Sequence, residues 1–192
     1  MGNWPVGKGV ATGKVLSPQQ AGRGVIRRGP IAFENQAVEV EAKMEKEFDC
    51  PPVLLLIFRR PDLTRRVIDA LSVVKPSRLY IAADGPRDRP GERQLCDETR
   101  KVATQVQWPC QLKILFRNEN LGCRVGVSTA IDWFFDQEDA GIILEDDCLP
   151  SPSFFPYCAE LLARFHDDER IIAISGNNFQ KGRDVTPYSY YF

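Results

Sequence analysis

Five short apolar runs, each closed by a polar or turn-forming cluster and separated by segments of helical character, constrain this chain more than any other feature. Residues 53–58 (VLLLIF), 79–83 (LYIAA), 112–116 (LKILF), 141–144 (GIIL) and 171–174 (IIAI) are short enough for strands, and the first lacks the alternation of a half-buried strand. Between them the pattern is helical. Leu63, Val67, Leu71 and Val74 recur at three to four residues behind Asp62, which is placed to cap them, and Lys75-Pro76 stops the run. Further helices are expected over 92–105, 125–135 and 153–165. Strands alternating with helices at this spacing imply an α/β chain with a mainly parallel sheet, helices on both faces and right-handed crossovers.

Such sheets bind ligands beyond the carboxyl ends of their strands, so the polar residues found there are the candidates. They are Arg59 and Arg60 after the first strand, Asp84 after the second, and Arg117, Asn118 and Asn120 after the third. Glu145, Asp146 and Asp147 follow the fourth, and Ser175, Asn177 and Asn178 the fifth. Three consecutive carboxylates repel one another unless something compensates them. A hard divalent cation such as Mg2+ or Mn2+ would, with water and a diphosphate completing its shell. A solvated acidic turn, or charge favouring a helix N-terminus, is the competing explanation. The first helix opens without G-x-G-x-x-G, and the chain has no P-loop, which argues against ordinary dinucleotide and P-loop sites.

Charge and cysteine usage narrow the classes further. The 192 residues carry 25 basic and 26 acidic side chains, so there is no whole-chain electrostatic case for nucleic acid. No apolar stretch is long enough to span a bilayer. Residues 1–30 hold five basic side chains, no acidic ones and seven glycines, without an apolar signal core. Residues 1–48 are therefore expected to be a poorly ordered basic tail ending in a short helical lead-in from 33. Six cysteines without a C-x-x-C pair point to reduced, partly buried thiols and a cytoplasmic location. The lone histidine, His166, sits among Arg164, Asp167 and Asp168, where a surface position is expected; Asp132 and Asp136 read as exposed helix charges.

The ordered set Asp84-Gly85-Pro86, Asn120-Leu121-Gly122 and the run from Ile142 to Pro150 (IILEDDCLP) resembles the nucleotide-sugar-binding half of GT-A glycosyltransferases, a Rossmann-like fold. It is most similar to bacterial family-2-like members and the N-acetylglucosaminyltransferase I type, whose acidic motif the Glu-Asp-Asp triplet matches. The resemblance spans about residues 51–179. It implies a donor-binding domain over 50–180 and a UDP-linked sugar as donor. By position, Asp84 would meet the uracil ring, and Arg59, Asn120 and Gly122 would border the nucleotide. Arg117 or Arg124 would lie near the diphosphate, Glu145 near the sugar, Asp146 near the ribose or the metal's water, and Asp147 would ligate Mn2+ or Mg2+.

The expected activity is inverting, metal-dependent transfer of the sugar to a glycan, protein or lipid acceptor. Residues 181–192 read as the start of a C-terminal region absent from this chain, and the catalytic base is expected beyond Phe192, since neither His166 nor Asp184 has a supporting motif. Two readings compete with it. A non-catalytic nucleotide-binding module would show binding without turnover. A nucleotidyltransferase would normally carry a glycine-rich basic loop after the first strand, which residues 58–63 lack.

Overall fold

The computed structural model describes residues 48–176 and, ahead of them, the backbone of Gly9–Thr12. The rest of the tail, residues 33–47 of the expected lead-in, Asn177, Asn178, Asp184 and residues 181–192 lie outside the described residues. Every element below belongs to one compact unit, which excludes residues 16–49.

The elements run β1 (Gly9–Thr12), β2 (Val53–Ile57), α1 (Pro61–Val74), β3 (Arg78–Ala83), α2 (Glu92–Ala103), β4 (Gln111–Phe116), α3 (Gly122–Phe135), β5 (Ala140–Glu145), α4 (Phe154–Arg164) and β6 (Ile174–Ser175). The strands form one sheet in the order β4-β3-β2-β5-β1-β6, with every pairing parallel. The α/β expectation therefore holds. β2 lies inside the sheet with all five residues buried, which is why its sequence is apolar on both sides.

The order places the candidate site. From β2 the chain steps outward to β3 and β4, then returns to lay β5 on the other side of β2. With right-handed crossovers, that reversal sends α3 to the face opposite α1 and α2. On the α3 face, Ala130, Phe134 and Phe135 pack with Leu54, Leu56, Tyr80, Ala82 and Ile143. Phe134 is fully buried and meets Tyr80 edge-on, with ring centroids 4.9 Å apart. Gly141 makes this approach possible, because a Cβ there would come within 2.4 Å of the Phe134 ring. The junction of β2 and β5 is the switch point of the sheet, where a crevice opens at the strands' carboxyl ends.

Local differences from the sequence reading have identifiable causes. α1 begins at Pro61 rather than behind an Asp62 cap; proline suits the first helical position, and Asp62 sits in the first turn. α3 begins at Gly122, three residues before the expected start, because its first N–H groups are capped from another strand. The fifth expected strand shrinks to Ile174–Ser175: Ile171 N–H is bonded to the Asp168 carbonyl in a turn, and Ile172 is exposed. The tail holds a strand where none was expected. Gly9–Thr12 inserts between β5 and β6, a pairing of backbone groups that four residues without periodicity do not announce. Among the described residues no helix is long and apolar enough to cross a membrane.

Because Phe134 is enclosed by the sheet and its neighbours, Phe134→Ala is expected to cost about 3–5 kcal/mol. Urea unfolding of the variant against the parent chain measures it.

Candidate functional site

A cleft of about 460 Å³ opens at the carboxyl edge of β2, β3, β4 and β5. Seven of the nine residues that the resemblance places at the donor site line it. Arg59 follows β2, Asp84 follows β3, Arg117 and Asn120 follow β4, Gly122 opens α3, and Glu145 and Asp146 close β5. Asp147 is not in the wall, but it touches Arg60, which is. Arg124, His166, Asp132 and Asp136 are exposed and outside the wall; His166 Nδ1 lies 2.7 Å from Asp167 Oδ1.

Asp84 serves the backbone. Its Oδ1 accepts the N–H groups of Gly85 and Leu121, each at 3.0 Å, and its Oδ2 those of Leu121 at 3.1 Å and Gly122 at 3.0 Å. These bonds satisfy donors at the start of α3 that no residue of that helix caps. The turn is tight: a Cβ on Gly85 would come 2.3 Å from the Glu119 backbone, and the Asn120 amide bonds the Gly85 carbonyl at 2.7 Å. Arg100 Nη2 adds a bond to the Asp84 carbonyl at 3.1 Å and one to the Arg117 carbonyl at 2.5 Å, joining the ends of β3 and β4.

Four arginines line the cleft, Arg59, Arg60, Arg87 and Arg117. Each is held by a partner from this chain. Glu92, only 2% exposed at the start of α2, takes Arg59 Nη1 at 3.1 Å and Arg87 through Nε at 2.8 Å and Nη2 at 2.5 Å. The Arg87 hydrogen bond, assisted by the charges of Arg87 and Arg59, holds the Glu92 carboxyl at about 2 despite its desolvation. Arg117 bonds the Gly126 carbonyl at 3.1 Å and Thr129 Oγ1 at 2.7 Å.

Arg60 Nη1 lies 3.0 Å from Asp146 Oδ1 and 2.7 Å from Asp147 Oδ2. The other Asp146 oxygen accepts the Phe58 N–H at 3.2 Å. Burial pushes the Asp146 carboxyl up, and Arg60 and that N–H pull against it. Glu145 is exposed at the end of β5, and among the described residues its side chain has no hydrogen bond or ion pair.

The divalent cation expected on Asp147 would share that carboxylate with Arg60. Among the described residues no three His, Cys, Asp or Glu side chains converge to hold a metal ion. Both Asp146 oxygens are engaged, and Asp147 faces Arg60. Arg60 offsets the repulsion between Asp146 and Asp147.

The sequence reading missed Arg87 and Glu92 and took Arg60 only as part of a strand-ending cluster. Arg60 stood in plain view beside Arg59. Glu92 carried no signal, since a glutamate opening a helix is ordinary and one of its partners lies 33 residues away. None of the six cysteines is in a disulfide, and Cys123 reaches the cleft wall.

Glu92 supplies a pH signature. A carboxyl held at about 2, against 4.5 ordinarily, contributes stability that is complete above pH 4.5 and lost as pH falls towards 2. Glu92→Gln should lower unfolding free energy near neutrality, and the gap from the parent should close across that window. Urea titrations at stepped pH follow it; a gap independent of pH would contradict the assignment.

Compared with known proteins, the chain matches no family model, no curated protein and no solved structure.

Proposed function

We propose that this chain binds a nucleoside diphosphate sugar, with UDP as the nucleotide carrier, and presents the sugar for transfer to an acceptor hydroxyl in the manner of a GT-A glycosyltransferase donor domain. The observation that carries the reading is the convergence of strand-end residues from β2, β3, β4 and β5 on one cleft that four arginines line. Guanidinium forks match phosphate oxygens in charge and geometry. The switch point between β2 and β5 is where a sheet of this order accepts a nucleotide. Glu145, with its side chain unengaged among the described residues, is the acidic group available to a sugar hydroxyl.

A second reading, a nucleotide-binding module without turnover, is favoured by the use of the other wall carboxylates. Asp84 caps a helix and Asp146 is tied to Arg60, so neither is placed to take a proton from an acceptor. Incubation with UDP-sugars and analysis for free sugar or a glycosylated product separates the two.

The donor reading predicts that UDP raises the thermal unfolding midpoint and binds measurably by calorimetry. Arg59→Ala should weaken that binding about tenfold through loss of one charge-assisted contact. Absence of UDP binding would remove the reading.

A further inference from the structure

The acidic triplet and the arginines of the cleft form one electrostatic unit. Arg60 commits only Nη1 to Asp146 and Asp147, and Arg59 only Nη1 to Glu92. Their remaining N–H donors have no partner among the described residues, and both side chains are about half exposed at the wall. Glu92 and the Phe58 ring hold Arg87 beside them, the guanidinium carbon 5.3 Å from the ring centroid. A diphosphate entering here meets fixed guanidinium groups with free donors. A divalent ion on Asp147 would share that carboxylate with the Arg60 guanidinium and would find no free oxygen on Asp146.

We infer that the cleft holds the diphosphate of its ligand through guanidinium groups, with Arg60 in the position that the GT-A resemblance gives to Mn2+ or Mg2+, so that nucleotide binding is independent of divalent cation. The inference rests on the nucleotide-sugar reading and replaces its metal component. Arg60 then bridges the phosphates on one side and the Asp146–Asp147 pair on the other. Asp147 orients the arginine rather than contacting an ion, and Asp146, pinned by the Phe58 N–H, fixes where the bridge begins. Arginine suits this role because its planar fork serves two partners at once.

Calorimetric titration of the full chain with UDP, in excess EDTA and again with Mn2+, tests it. The dissociation constants are expected to agree within about threefold, while Arg60→Gln weakens binding in EDTA about tenfold or more. Asp147→Asn, an exposed change, still binds UDP in EDTA, more weakly than the parent because Arg60 loses one of its two carboxylate partners, and Mn2+ does not restore the loss. UDP binding that vanishes in EDTA, returns with Mn2+ and is lost in Asp147→Asn overturns the inference and leaves the donor reading standing. No binding of UDP or inorganic pyrophosphate in either buffer overturns both.

Discussion

Neutralisation of negative charge at one edge of a parallel sheet is the constraint on which the cleft depends. A parallel sheet delivers all its strand ends to the same side, and here β3 and β5 end in carboxylates. Each buried or half-buried carboxylate at this edge is balanced by a group of its own chain. Asp84 takes three backbone N–H groups, Glu92 takes Arg59 and Arg87, and Asp146 takes Arg60 and a backbone N–H. Removing one partner of such a pair costs more than the pair contributes, because a desolvated charge is left behind. The arrangement is therefore self-reinforcing: the acids hold the arginines in place, and the arginines allow the acids to be buried.

Near the opposite ends of the strands, a buried carboxylate is again balanced by side chains of the same chain. Tyr80 donates its hydroxyl to Glu138 at 2.6 Å, Arg78 reaches the other oxygen of that carboxylate, and Lys113 approaches the Tyr80 hydroxyl at 3.3 Å. Burial and the hydrogen bond to Glu138 raise the Tyr80 phenol to about 12, so it remains a donor at any physiological pH. This network closes the end of α3 onto the sheet. A polar cluster can thus be cement or a docking site, and the difference lies in whether donors remain open towards a cavity.

Most of the layer architecture was legible because buried strands advertise themselves. The runs in β2, β3 and β5 are apolar through their length, and helix spacing survives in α1 and α4. Positions at strand ends followed from topology, which is why residues after β2, β3, β4 and β5 share one cleft. Pairings across sequence distance were not legible. Nothing local says that Arg60 reaches residues 86 and 87 positions away, or that Asp84 caps a helix 38 positions on. The acidic triplet gave no sign of the arginine that Asp146 and Asp147 share, because that partner lies far away in sequence. The strand Gly9–Thr12 was hidden for a different reason: short edge-filling segments are defined by what they pair with.

That small strand ties together the two ends of the described chain. Residues from its first dozen sit between β5 and β6, so β6 is hydrogen-bonded to the sheet only through β1. The sheet's last seam therefore closes after nearly all of the described chain has been synthesised. Loop-closure entropy must be met before those contacts return anything. Until β1 docks, β5, whose carboxyl end carries Glu145, is paired on its β2 side only, and the acidic corner of the cleft is buttressed from one side.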